Sequence, residues 1–448
     1  MTLDEIFNAK LTENGDLSFK KASDNPLLNI LFLTEYYQKH LDEVPLLEDS
    51  DINRLFAMFI RDPRYGMGRR DLGRKLMSMT DVAIDDTIKA GRVDDVFYRE
   101  YPDTYSFACV LDYLHSEIVK GNELVKKWMP RYSSKNLLLA RTIAKYWGMN
   151  KQQYGHFIKC NTTENKLSDH RFDDIQFEHV PSLAMIKYAH AFSTKPETKE
   201  RYLKYLEDVK AGKKDLKVST TTVYDIYKNR DKIDADLFFS KIEKISGSWI
   251  PIVDTSGSMC DSNDSFGKAL AIGHYLAKCS TYCPNKVVSF SSHPQLITLG
   301  QPVQRRGYWY YQQASEEALK KSQYQREIDS MYTGDCSNTD FGAVMRLLSN
   351  LEGNMPEYLV VLSDMEFDSG SYTSKEETMR LFKENGYNTK IIWWNLNSRN
   401  ITVPEMDHHG NIYISGYNPM LLKYLAAGFD GEAFLNNLLR EYAKAIGE

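Results

Sequence analysis

The sequence predicts two domains: a stack of short antiparallel helices over residues 1–244, then a doubly wound α/β domain over residues 245–448. Three observations carry this. The chain has 448 residues, 42% of them hydrophobic, enough for more than one sizeable core. Before residue 245 apolar residues recur at helical spacing, and few alternating β-branched runs occur. After it, short apolar runs of strand type alternate with helical segments, the grammar of a parallel sheet.

In the first part, Asn25-Pro26 opens an apolar-periodic helix over Leu27–His40. Ile52, Leu55, Phe56 and Phe59 place a helix over Asp51–Ile60. Ser106–Val119, Asn136–Trp147 and Ser182–Phe192 follow the same spacing, with Ser134 and Asn150 as candidate N-caps. No repeat of fixed period is visible, so a helical-repeat module here is degenerate.

In the second part, Trp249–Val253 is a buried-type strand ending at Asp254, and Phe266–Lys278 is helical. Lys286–Phe290 is a strand, Thr339–Leu348 a helix, and Tyr358–Leu362 a strand that ends before Asp364. Ser374–Asn385 is a helix, Lys390–Trp394 a strand and Phe434–Ala445 a terminal helix. Residues 300–335, polar and rich in Tyr and Gln, form an excursion from that scaffold.

Composition excludes several classes. Charged residues at 26% and aromatics at 12% are globular values, and Gly 25 and Pro 14 exclude a collagenous rod. No run approaches the length of a transmembrane helix, and the acidic start MTLDEIFNAKLTENGD lacks the apolar core of a secretory signal. Six cysteines at 109, 160, 260, 279, 283 and 336 give neither a zinc-knuckle spacing nor a disulfide framework. A reduced, cytoplasmic protein is expected.

Net charge is −5, unevenly spread. Residues 1–244 hold 39 basic against 38 acidic side chains, whereas 245–448 hold 17 against 23. Residues 120–160 carry nine basic side chains (Lys120, Lys126, Lys127, Arg131, Lys135, Arg141, Lys145, Lys151 and Lys159) against Glu123 alone. Arg141 and Lys145 are four apart and share a helix face. Tyr132, Tyr146, Trp147, Tyr154 and His156 are interleaved, although Trp128, Trp147 and Tyr146 read first as core. Cations that track phosphates beside aromatics that stack on bases are the footprint of single-stranded or irregular RNA. The competing reading is a solvated helix face. A second cluster, Arg61, Arg64, Arg69, Arg70, Arg74 and Lys75, surrounds two glycines expected to expose backbone in a loop, with Arg69 and Arg70 as its candidate contacts.

The sharpest motif is Asp254-Thr255-Ser256-Gly257-Ser258-Met259, a carboxylate and two hydroxyls in a turn at the carboxyl end of a strand. That end is where open α/β sheets bind ligands. Ser363-Asp364 closes a second strand, and Gly334–Asp340 offers Thr339 at a helix start. Hard oxygen donors suit Mg²⁺, with Mn²⁺ or Ca²⁺ as alternatives, and do not suit zinc. A phosphatase-type nucleophile at Asp254 would want an acid two residues on, where Ser256 stands.

Asp254, Ser256, Ser258, Thr339 and Asp364 together resemble the metal-ion-dependent adhesion site of von Willebrand factor A domains. The resemblance covers roughly residues 249–425 and implies a Rossmann-like doubly wound fold. The helical part is similar to the Ro-like family, in which a HEAT-like TROVE module precedes such a domain, and to its uncharacterised relatives. The carrying residues are Thr12–Phe19, Asn25-Pro-Leu-Leu28, Arg61-Asp62 with Gly66, Gly68 and Arg70, Lys127-Trp-Met-Pro-Arg131 and Val180-Pro-Ser-Leu-Ala184. The resemblance implies binding of small non-coding RNAs, or single-stranded ends of misfolded RNAs, by the basic helices around 126–151. The contacts expected from charge and spacing are Lys126, Lys127, Arg131, Lys135, Arg141, Lys145 and Lys151.

The function expected is that of a non-enzymatic RNA-binding protein with a divalent-cation site. The alternative is an adaptor whose metal recruits a partner protein's carboxylate while the helices serve as scaffold. No phosphate-binding loop, zinc-protease motif or supported nucleophile triad is present. His408-His409 and the Cys279/Cys283 pair lack supporting partners.

Overall fold

The computed structural model describes the chain except residues 1–8, 12–16, 20–24, 48–49, 63–64, 81–92, 99–103, 134–135, 219–220, 262, 292, 302–320, 334–339, 351–354, 365–379, 381–387, 398–404, 407–409 and 448. Two compact units form. One comprises Met1–Tyr36 and Thr221–Leu435, the other Tyr37–Thr220 and Asn436–Glu448. They do not divide at 244/245, where the sequence places the domain boundary. Helix Val223–Asn229 packs on helix Ser265–Cys279, and Phe239 of helix Ala235–Lys241 meets His274 and Tyr275 of it edge-on. The cause is apolar burial: Val223, Ile226, Tyr227, Leu237, Phe238 and Phe239 are all buried there.

The strands in chain order are β1 (Ala9–Leu11), β2 (Leu17–Phe19), β3 (Trp249–Asp254), β4 (Lys286–Phe290), β5 (Leu296–Thr298), β6 (Tyr358–Ser363), β7 (Lys390–Asn395), β8 (Glu405–Met406) and β9 (Ile412–Ser415). β1 and β2 form an antiparallel pair that the helical reading of the N-terminal part did not foresee. Among the described residues the main sheet runs β5-β4-β3-β6-β7-β9-β8. β4, β3, β6, β7 and β9 are mutually parallel, and β5 and β8 are antiparallel edges. The unit is therefore α/β as expected.

β3 and β6 are buried along their whole length, as parallel strands covered on both faces are. Ile250, Ile252, Val288, Phe290, Leu359, Val361, Ile391 and Trp393 pack with Phe341, Val344, Met345 and Leu348 of helix Phe341–Ser349. On the opposite face helix Ser265–Cys279 approaches so closely that a Cβ on Gly273 would lie 2.5 Å from Val253 Cγ2. Pro251 sits in central β3 without harm. The β3–β4 ladder begins only at Ile252, and it is the following odd residue, Thr255, that donates its backbone N–H to Phe290 of β4. The donor that proline lacks falls where no ladder bond is required.

The chain crosses from β3 to β4 on one side and returns to β6 on the other. β3 and β6 thus flank the topological switch point, the crevice where open α/β sheets place ligands.

The second unit is helical, with helices Asp51–Arg61, Arg70–Ser78, Thr104–Val119, Glu123–Trp128, Leu137–Tyr146, Lys151–Phe157, Thr163–Ser168, Ser182–Thr194 and Pro196–Lys210. Asn150 caps its helix in a reciprocal capping box with Gln153, as foreseen. Ser134 lies outside the described residues. Leu27–His40 divides into helices Pro26–Phe32 and Thr34–Lys39. Among the described residues no helix is long and apolar enough to cross a membrane.

Within the Arg61–Arg70 stretch Arg61 and Asp62 are buried, whereas Tyr65, Gly68 and Arg70 are exposed. Arg61 and Arg74 both reach buried Asp95, each with its Nε 2.7 Å from a carboxylate oxygen. Asp62 accepts a 2.9 Å hydrogen bond from Tyr442. A Cβ on Gly66 would come within 1.9 Å of the Phe59 carbonyl oxygen, so this glycine serves close backbone approach.

Candidate functional site

The metal-type motif stands at the switch point. Register pairs Val253 with Leu362, which brings Asp254 beside Ser363 at the strand ends. Asp254 is fully buried. One carboxylate oxygen accepts from the Ser256 backbone N–H at 2.9 Å, and the other accepts from Ser363 Oγ at 2.5 Å. Burial pushes the Asp254 carboxyl up to about 7, and nearby Asp364 adds to the rise. Hydrogen bonds from Ser363 and Ser256 oppose it. A carboxylate stripped of water in this way gains most from an adjacent cation.

Ser256 Oγ and Ser258 Oγ lie 3.0 Å apart. Two oxygens at adjacent corners of an octahedron, each about 2.1 Å from a central Mg²⁺, are separated by about 3.0 Å. The hydroxyl pair thus fits two neighbouring ligand positions. Ser256 is buried and Ser258 is exposed, so the pair spans the rim of the crevice. Buried Met259 pins the end of this turn. Asp364 is also buried, one residue past β6. Thr339 lies outside the described residues, as do Cys336, His408, His409 and all of the expected helix Ser374–Asn385 but Arg380. Four of the five expected donors can therefore be placed. Among the described residues no group of three or more His, Cys, Asp or Glu side chains is suited to a metal. The candidate set instead has two carboxylates and two hydroxyls.

Sequence reasoning missed what holds this loop. Asp264, six residues beyond Ser258, takes the left-handed conformation with φ 55°. It caps helix Ser265–Cys279 through the Gly267 N–H and accepts a 2.7 Å hydrogen bond from Tyr224 Oη. A buried cluster on the same helix was equally invisible. His274 Nε2 is 2.7 Å from Glu327 Oε2, while Lys278 and Gln323 reach Glu327 Oε1 at 3.0 and 2.9 Å.

The basic segment lies in the helical unit. From Leu124 to Asn161 the chain has no acidic residue. Its apolar positions, Val125, Met129, Ala140, Ile143, Ala144, Tyr154 and Ile158, form a core with Val110, Leu111, Leu114 and Ile118. Lys127, Arg141, Lys145, Lys151 and Lys159 are thereby left exposed. Arg141 and Lys145 are exposed on one face of helix Leu137–Tyr146, beside Leu138 and Thr142. Lys127 and Lys151 are also exposed, their ammonium groups 5.4 Å from the Trp128 ring and 5.9 Å from the Tyr132 ring.

Other expected contacts are engaged elsewhere. Lys126 pairs with Glu123 at 3.0 Å, and Arg131 Nη2 lies 3.3 Å from the sulfur of buried Cys160. Lys135 lies outside the described residues. Of the aromatics, Trp147 donates to the Leu111 carbonyl and Tyr154 is fully buried, so both are core. Tyr146 is 45% exposed, contrary to the core reading, and donates to Asp112 at 3.0 Å. Arg69 is partly exposed and Arg70 exposed.

Residues 248–437 match a domain of unknown function (DUF7788), and residues 156–250 match a second such domain (DUF2828). The chain is similar to the uncharacterized protein L728 of Acanthamoeba polyphaga mimivirus, with 25% identity over 366 residues. That alignment takes in 71% of this chain, and the chain spans 60% of the length of that relative. The crystal structure of the Deinococcus radiodurans Ro (RSR) protein aligns over 94% of this chain and 96% of that one, with 11% identity and a TM-score of 0.39. At that score the likeness carries no argument.

Proposed function

We propose that this protein binds single-stranded or irregular RNA, without catalysing a reaction, and carries one divalent cation of the Mg²⁺ class in its α/β unit. The observation that supports this most is the acid-free stretch whose cations Lys127, Arg141, Lys145 and Lys151 are exposed. Among the described residues none of the four has an ion pair. Cations held at a folded surface without carboxylate partners repel one another, and a polyanion relieves that repulsion while releasing its own counterions. Arg70, whose guanidinium lies over the Trp128 ring, extends the same surface, with Arg69 beside it in sequence as a further candidate contact. The separation of these side chains over several helices suits an irregular strand better than one regular groove.

In the α/β unit Ser256 and Ser258 would ligate the cation directly. Asp254 and Asp364 would balance its charge, directly or through water, and Thr339 is the proposed fifth donor. A bound cation supplies a Lewis-acidic point with one position open to an outside oxygen, such as a carboxylate of a partner protein. The chain's own residues do the rest. Ser363 holds one Asp254 oxygen, and the Ser256 N–H holds the other.

Sequencing of RNA that co-purifies with the salt-washed protein tests the reading. Recovery of a defined set of small or single-stranded RNAs is the expected result. Protein free of nucleic acid, with no affinity for added single-stranded RNA, would favour the adaptor instead.

A further inference from the structure

We propose that the Tyr224–Asp264 hydrogen bond couples the helix Val223–Asn229 to cation binding at the Asp254-Ser256-Ser258 loop, making Tyr224 a positioning residue for that cation; the inference rests on the metal reading above.

The loop leaves β3 at Asp254 and enters helix Ser265–Cys279 through Asp264. Its first end is fixed by the sheet. Its second depends on Asp264, a non-glycine residue at φ 55° and ψ 46°, a conformation that L side chains rarely adopt. Such a residue persists where its surroundings over-determine it. Here Oδ1 accepts from the Gly267 N–H at 3.2 Å, and Oδ2 accepts from Tyr224 Oη at 2.7 Å. Burial and the Asp264 carboxylate raise the Tyr224 phenol, which keeps it a donor.

The packing around this bond leaves little freedom. A Cβ on Gly267 would stand 2.6 Å from both Asp264 carboxylate oxygens and 2.6 Å from Tyr227 Cε1. Tyr224 stacks on Tyr227 with ring centroids 6.3 Å apart and meets Tyr417 edge-on at 5.6 Å. Between the serines and Asp264, Asp261 accepts from the backbone N–H groups of Asn263 and Ser265 and from Ser265 Oγ. Asn263 Nδ2 reaches the Asn397 carbonyl at 3.4 Å. The position of Ser256 and Ser258 is therefore set at one end by a strand and at the other by a carboxylate that a distant helix holds.

By linkage, a contact that favours the ligand-ready loop raises cation affinity, and bound cation strengthens that contact by the same factor. Calorimetric titration with MgCl₂ and MnCl₂, together with Tm in their presence and absence, tests this. Tyr224→Phe removes the donor and keeps the ring. It should bind Mg²⁺ about fivefold more weakly than the wild type, with a smaller metal-induced rise in Tm. Asp264→Gly takes the left-handed backbone without strain and also breaks the bond. Adding Tyr224→Phe to it should weaken Mg²⁺ binding no further. Wild-type affinity in Tyr224→Phe, with Tm lowered equally with and without metal, would overturn the coupling while leaving the metal site standing. Additive losses in the double variant would overturn it too. A wild-type protein that takes up neither cation would instead remove the metal reading itself.

Discussion

The Arg70 guanidinium carbon lies 4.8 Å from the centre of the Trp128 ring, and Lys127 Nζ lies 5.4 Å from the same ring. Two clusters that are 57 residues apart in sequence thereby become one surface. The indole is the shared element, and it also packs against the helical core. Cation–π contacts of this kind hold a charge at the surface without neutralising it.

Arg70→Glu should therefore weaken RNA binding by an amount similar to Lys127→Glu. Each replacement removes one phosphate contact and adds a repulsion, so a loss of about tenfold at low salt is expected for either. Electrophoretic mobility shift with a single-stranded probe checks the pair. A loss at Lys127 alone would separate the two clusters again.

Asp254→Ala should abolish Mg²⁺ and Mn²⁺ binding in calorimetry while leaving the far-ultraviolet circular dichroism unchanged. The buried carboxyl is replaced by a small apolar group, and Ser363 Oγ and the Ser256 backbone N–H both lose their acceptor. RNA affinity should survive this change and survive EDTA, because phosphate contacts by Lys and Arg need no metal. Metal affinity equal to wild type in the variant would remove Asp254 from the site.

Much of this was legible along the chain, and the reason is periodicity. β3, β4, β6 and β7 lie within a residue of their expected spans because buried parallel strands are continuous apolar runs bounded by polar residues. Helix Asp51–Arg61 was equally plain. The motif residues Asp254, Ser256, Ser258 and Asp364 came from the same logic, as oxygen donors at strand ends. What could not be read depends on partners far away. Helices 223–241 look like any other short helices until Tyr227 and Phe239 find helix Ser265–Cys279. Gly66 reads as exposed loop because nothing in the sequence announces the Phe59 carbonyl, whereas Gly68 is exposed as expected. The three-residue strands β1, β2 and β5 are too short for alternation to register, and Tyr146 is apolar enough to pass for core.

Acid stability should fall as the buried, hydrogen-bonded His274–Glu327 pair takes up protons. Burial lowers the His274 pKa below its ordinary 6.5. The neutral ring is required in the folded state, so its contribution is complete above pH 6.5 and declines as pH falls below it. Glu327 is held down to about 2 by hydrogen bonds from His274, Gln323 and Lys278, which outweigh its burial. Its contribution is complete above the ordinary 4.5 and is lost as pH falls towards 2. His274→Gln keeps a donor for Glu327 and cannot titrate. Urea unfolding across pH 5–7.5 should show a flatter profile in this variant than in the wild type. Parallel profiles would place the acid sensitivity elsewhere.

Gly66→Ala should destabilise the helical unit by about 2 kcal/mol or more, because the added carbon would meet a backbone oxygen that cannot move aside. Thermal unfolding followed by circular dichroism reads this directly. An unchanged Tm would mean that the 61–70 segment relaxes freely.

RNA binding by the basic helices is tested by filter binding of single-stranded RNA at several salt concentrations with the wild type and the double variant Arg141→Glu, Lys145→Glu. Five phosphate contacts from Arg70, Lys127, Arg141, Lys145 and Lys151 give a slope of log K against log salt of about −3.5. Loss of two contacts should bring it to about −2.1 and weaken binding across RNA sequences alike. Wild-type affinity and slope in the double variant would contradict the account and leave the basic helices a solvated face.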